Sequence, residues 1–137
     1  MYADAKSMPM NMIVSFACVA LGGALGACCR YALSLVIELQ QGRLPLATLL
    51  ANISGCFVAG MLVTWLVSRG MAGSFAHLLL LVGFLGSFTT LSAFSVESLR
   101  LFEQGHWQQA MSYIAISLTG ALIAAWLGIA FARLLLR

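Results

Sequence analysis

The chain has 137 residues, of which 62% are hydrophobic and only 8% charged, and its mean hydropathy is +1.01. A soluble domain carries about a quarter of its residues as charges, so this composition specifies an integral membrane protein and excludes a water-soluble enzyme or binding module. The net charge of +3 is small and dispersed, which leaves no basic patch for nucleic acid and no polybasic lipid-binding tail.

The first apolar run, Asn11 to Ile37, follows a short polar leader and predicts a spanning helix over about 12–37. Lys6 ahead of it and Leu25-Gly26-Ala27-Cys28 within it give the run the look of a cleavable lipoprotein signal. Cleavage there would leave three further spans and no soluble domain to anchor, so the run is read as a helix. Gly22 and Gly26 form a small-x-x-x-small face for close helix contact. Arg30 and Tyr31 fall where a span of ordinary length ends, and snorkelling to the interface accounts for both.

Gln40, Gln41, Gly42, Arg43 and Pro45 mark a loop, after which a second helix is expected over about 46–68. Its notable residue is Asn52. A carboxamide in hydrocarbon must find a partner, on a neighbouring helix or along a water-filled path. Asn52, Cys56 and Gly60 recur at i, i+4 and i+8 and share one narrow face. Arg69 to Ser74 is a short loop leading to a third span over about 75–102.

Within this third span, Gly83 to Glu97 interrupts the apolar run with glycines, hydroxyls and an acid. Gly83, Gly86 and Ser87 weaken a helix, and Thr89 or Thr90 is suited to capping a new one, so the helix is expected to break near 86–90. Backbone at membrane depth is left irregular only where protein covers it or a cavity receives it, and such breaks mark ion or substrate sites. The carbonyls freed at Gly86 to Thr89 suit a cation. Beyond the break Thr90, Ala93, Phe94 and Glu97 share a face, with Ser92 and Ser95 on an adjacent strip. Hydroxyls and the positive edge of a phenyl ring both suit an anion. Glu97 lies about 10 Å of rise past the break, where Arg100 is a ready interfacial partner.

The fourth helix is expected over about 108–135, with Trp107 as an interfacial anchor and Tyr113, Ser117, Gly120, Ala121, Ala124, Ala125 and Gly128 along a small, hydroxyl-bearing side. The whole chain, 1–137, reads as one all-α integral membrane domain of four spans, with both termini on one side. That side holds Lys6, Arg69, Arg133 and Arg137 against Arg30, Arg43 and Arg100 on the other, four against three. So even a balance sets almost no orientation and suggests insertion both ways up, with two antiparallel copies forming a dimer. Cys18, Cys28, Cys29 and Cys56 lack metal or redox spacing, and His77 and His106 stand apart from them, so no transition-metal site is assigned. No serine has a plausible general base, and catalysis is not expected.

Three motifs in order resemble one known family: Gly22-Gly23-x-x-Gly26-Ala27-x-x-Arg30-Tyr31, Pro45-x-Ala47-Thr48-x-x-x-Asn52-x-x-Gly55, and Gly83-x-x-Gly86-x-x-Thr89-Thr90-x-Ser92-x-Phe94-Ser95-x-Glu97. The chain resembles the Fluc/CrcB fluoride ion channels over about residues 12–135. The resemblance implies a dual-topology homodimer with two parallel pores in a bacterial-type plasma membrane, passively passing fluoride out of the cytoplasm. It implies a structural Na+ at the dimer centre, held by backbone carbonyls of Gly86 and Thr89. It places the pore asparagine on Asn52, the two pore phenylalanines on Leu91 and Phe94, and the hydroxyl track on Ser92, Ala93, Tyr113 and Ser117. Glu97 then matches the vestibule acid, while Arg30 and Thr48 belong to the first two motifs.

The chain departs from that family pattern at four positions. Ser87 stands for a second glycine, Leu91 for a phenylalanine, Ala93 for a track threonine, and Ala47 for the glycine before Thr48. Leu91 keeps bulk but lacks the ring edge, and Ala93 removes one hydroxyl. Altered conduction, a heteromer whose partner supplies a complete pore, and a non-conducting subunit are the alternatives these changes raise. A proton-coupled multidrug exporter of four helices needs a carboxylate inside the first helix, and that run offers only Glu38, beyond its end.

Overall fold

The computed structural model describes residues 11–37 and 44–137; Lys6, Glu38, Gln40, Gln41, Gly42 and Arg43, named above, lie outside them. Helix α1 spans Met12–Val36 and opens at Asn11, whose Oδ1 accepts the Ile13 N–H at 3.0 Å. Helix α2 spans Leu46–Ser68 behind Pro45, whose missing N–H costs nothing at a helix start and whose carbonyl accepts from Leu49 at 3.1 Å. Helix α3 runs from His77 as a wide π-type coil over His77–Leu85 and closes with the α turn Gly86–Phe88. Helix α4 spans Leu91–Glu103 and α5 spans Trp107–Leu135. Every regular element among the described residues is helical, and four stretches are long and apolar enough to cross a membrane: α1, α2, α3 with α4, and α5.

Two of the turns between spans, after α2 and after α4, are closed by glycine. Gly70 after α2 and Gly105 after α4 take φ of 65° and 77°, a left-handed conformation that a side chain would oppose. In each case two amides fold back on the helix end: Met71 to Leu66 at 2.8 Å and Gly70 to Val67 at 3.0 Å, His106 to Leu101 at 2.9 Å and Gly105 to Phe102 at 3.0 Å.

The spans pack as two close pairs, α1 with α3 and α2 with α5. Lipid tails are as apolar as leucine, so helices associate here through van der Waals fit, which improves as backbones approach. Gly60 and Gly128 sit at the α2–α5 crossing, where an added Cβ would fall onto the carbonyl of Ala125 or Phe57. Gly22 and Gly26 do the same for α1 against Leu79 and Phe84, as their spacing predicts. Near Glu97 a small core of Leu49, Leu101, Ala110 and Tyr113 ties α2, α4 and α5 together.

The break falls at two residues. Thr89 (φ −80°, ψ 151°) and Thr90 (φ −150°, ψ 121°) are extended, while Gly86 stays helical at φ −60°, ψ −29°. The expected weakening near Gly83 and Gly86 takes another form, the wide winding, in which the Gly86 N–H reaches back to Leu81, five residues earlier.

Candidate functional site

The break is held from both sides by other helices. Asn52 on α2 clips the backbone of Thr90 at two points: its Nδ2 donates to the Thr90 carbonyl at 3.0 Å, and its Oδ1 accepts the Thr90 N–H at 2.7 Å. The carboxamide thus stands in for the two peptide partners that the broken helix lacks. From α1, Arg30 donates through Nε to the Ser87 carbonyl at 3.2 Å. Arg30 is therefore part of the break rather than a cation drawn out to the interface, because a freed carbonyl in hydrocarbon is a strong acceptor. Thr90 then caps α4, its Oγ1 accepting the Ala93 N–H at 3.2 Å. Thr89 Oγ1 turns back to the Leu85 carbonyl at 2.9 Å. No hydrogen bond from a described residue reaches the carbonyl of Gly86 or Thr89, which leaves both as free oxygen donors.

Two turns along α4, Glu97 takes two hydroxyl donors from different helices. Thr48 Oγ1 donates to its Oε1 at 2.8 Å and Tyr113 Oη to its Oε2 at 2.7 Å. Thr48 and Tyr113 are buried, Tyr113 completely. Arg100 is exposed and forms no ion pair with Glu97, so the expected interfacial pair gives way to a hydroxyl-bound carboxylate between α2, α4 and α5. Buried hydroxyls hold a carboxylate more firmly than an exposed guanidinium can, since exposed pairs are worth little. The Tyr113 ring also packs on Phe94, with centroids 5.4 Å apart and planes tilted by 45°.

Beside the clip, on the side away from the acid, lies a groove of about 220 Å³. It is lined by Asn52 and Cys56 of α2, Thr89 and Thr90 of the break, Leu91 and Phe94 of α4, and Ser117, Leu118 and Ala121 of α5. Ser117 is buried and its Oγ has no hydrogen-bond partner among the described residues. A buried hydroxyl left unpaired costs about 1–3 kcal/mol, so this donor is available to whatever enters. Leu91 is 72% exposed at the mouth, and Ser92 is exposed outside the groove, sharing a 3.0 Å hydrogen bond with Thr90.

Comparison with known proteins gives the family. The family model described as CrcB-like protein, Camphor Resistance (CrcB) matches residues 17–129. The chain belongs to this CrcB family. Among its relatives is the fluoride-specific ion channel FluC of Saccharophagus degradans, 41% identical over 109 residues that cover 80% of this chain and 82% of the relative. Those of Legionella pneumophila (strain Philadelphia 1) and Stutzerimonas stutzeri are 39% and 40% identical, covering 91% and 85% of this chain and 94% of each relative.

Within this CrcB chain, the structure brings Asn52, Leu91, Phe94 and Ser117 to one groove and links Thr48, Glu97 and Tyr113 behind it. Gly86, Thr89 and Arg30 gather at the break, and Ser92 stands apart on the surface. Three groove residues were not singled out for the site: Cys56, Leu118 and Ala121. Cys56 carried a signal, one helical turn after Asn52 on the same face, and so did Ala121, one turn after Ser117 on the small side of the fourth helix; Leu118 carried none beyond adjacency to Ser117.

Proposed function

We propose that this chain is a passive fluoride-selective channel that lets fluoride leave the cytoplasm and so lowers its toxicity. The observation that carries this reading is the match, over 80–91% of the chain, to relatives named fluoride-specific ion channels. The groove supports it. Phe94 presents a ring beside the free Ser117 hydroxyl and the second N–H of Asn52, a small set of uncharged donors suited to a small anion. Both oxygens of Glu97 are engaged by hydroxyls, which disfavours the alternative of a proton-trading exporter. Liposomes containing this chain alone should release fluoride to an ion-selective electrode without ATP or a proton gradient. Release of chloride at the same rate, or of neither ion, would overturn the reading.

The finer reading is an antiparallel homodimer in the plasma membrane of a bacterial cell, with two pores and a structural Na+ between the copies. Gly86 and Thr89 would hold the ion through their backbone carbonyls, and their freedom from hydrogen bonds is what supports this. Such an ion would supply positive charge to neutralise the dipoles of the free carbonyls. Gly86 is exposed, and an added Cβ there would meet nothing closer than the Leu81 carbonyl oxygen at 3.9 Å, as a position facing a second copy requires. A single exposed cysteine in the Arg69–Ser74 loop, labelled from one side of intact cells, should react in about half of the copies if orientation is mixed. Labelling of all copies or of none would exclude it.

A further inference from the structure

Four crossings make α2 and α5 run in the same direction, so both end at one face of the bundle. Between their last turns lies a second cavity of about 300 Å³, lined by Met61, Leu62 and Trp65 of α2 and Ala132, Leu135 and Leu136 of α5. It shares no residue with the groove at Asn52. Its walls are aliphatic apart from the indole of Trp65, a side chain that favours the boundary between hydrocarbon and water.

Three arginines follow its lining residues closely along the two helix ends. Arg69 stands one turn beyond Trp65, its backbone N–H on the Trp65 carbonyl at 3.2 Å, and Arg133 and Arg137 flank Leu135 and Leu136. All three arginines are exposed. No acidic side chain among the described residues stands at this end: Glu97 and Glu103 lie toward the opposite end of the bundle, where α4 finishes. Guanidinium groups match phosphate oxygens in a bidentate way, and basic groups at the membrane surface attract anionic lipid. A second copy set antiparallel would bring Arg100 and Glu103 to this level, one charge offsetting the other. A phosphate on an anionic lipid instead brings the uncompensated negative charge that these arginines call for.

We propose that this cavity and its rim form a binding site for an anionic phospholipid, an acyl chain between Trp65 and Leu135 and the headgroup phosphate on Arg69 and Arg133. The site is independent of what the groove conducts. Trp65 is its built-in reporter. A variant carrying Trp107→Phe and Trp126→Phe, reconstituted in phosphatidylcholine bilayers, keeps Trp65 as the only indole. Bilayers containing brominated phosphatidylglycerol should quench it more strongly than bilayers with the same fraction of brominated phosphatidylcholine, with about fivefold enrichment of the anionic lipid per engaged arginine. Arg69→Gln with Arg133→Gln should remove the preference, and Arg69→Lys with Arg133→Lys should retain most of it, which separates lost charge from misfolding. A variant keeping only Trp126, exposed on α5 outside the cavity, should show no headgroup preference. Equal quenching of Trp65 by the two lipids, a preference that survives the glutamine substitutions, or a Trp65 that neither lipid reaches because protein covers it would each overturn the proposal.

Discussion

Replacing Asn52 tests whether the break is held by α2. Asn52→Leu keeps volume and removes both hydrogen bonds to Thr90, at 2.7 and 3.0 Å, and leaves an N–H and a carbonyl of the extended segment unmatched. Side-chain hydrogen bonds between helices in a membrane average about 0.6 kcal/mol and reach about 1.7, so the pair together is worth about 1–3 kcal/mol. That corresponds to a roughly 5- to 150-fold shift in the folding equilibrium. Asn52→Asp separates structure from conduction. Its carboxylate still accepts the Thr90 N–H but sets an oxygen against the Thr90 carbonyl and a negative charge in the groove. Unfolding in detergent followed by tryptophan fluorescence should show Asn52→Leu as clearly the less stable protein compared with the parent. Fluoride efflux should fall in both variants. An Asn52→Leu protein as stable as its parent would mean that the carboxamide does not hold the break, and the reasoning would fail.

Three further outcomes are expected. Tyr113→Phe keeps the contact with Phe94 but withdraws one donor from Glu97, and should cost about 1–3 kcal/mol and slow fluoride efflux; Thr48→Val should act in the same direction, and a double-mutant cycle should show the two coupled through the acid. Gly60→Ala places a methyl on the Ala125 carbonyl and should destabilise by about 1–3 kcal/mol, whereas an added Cβ at Gly86 comes no closer than 3.9 Å to Leu81, so Gly86→Ala should leave the monomer fold intact and weaken only assembly, read by size-exclusion chromatography with light scattering. Leu91→Phe puts a ring at the exposed groove mouth and should raise fluoride efflux without moving the unfolding midpoint; a slower or unchanged rate would dissociate this position from the pathway.

Helix number and helix limits were legible because each apolar run is long enough to span and ends in residues that cannot stay in hydrocarbon. Expected limits of 12–37, 46–68 and 108–135 compare with Met12–Val36, Leu46–Ser68 and Trp107–Leu135. The break was legible, at the far end of the expected 86–90. Glycine permits a helix to end without forcing it, and Gly86 remains helical. What extends Thr89 and Thr90 is a clip from Asn52, 38 residues away, and no local pattern carries that distance. The wide winding of His77–Leu85 was illegible for a different reason: its side chains suit either pitch. Arg30 and Glu97 were matched to near neighbours, the interface and Arg100. Their true partners, Ser87, Thr48 and Tyr113, are separated in sequence by 57, 49 and 16 residues.

The hydroxyl-bound acid has a consequence for any anion in the groove, because every proton given to Glu97 is lost to the ion. Thr48 and Tyr113 spend theirs there, while Ser95 and Ser98 spend theirs on the helix carbonyls of Leu91 and Phe94. Thr90 and Ser92 spend one of two protons on each other. What remains around the groove is one proton from that pair, one N–H of Asn52, the hydroxyl of Ser117 and the weak S–H of Cys56. Four weak donors replace only part of a hydration shell. An anion that enters would therefore keep part of its water.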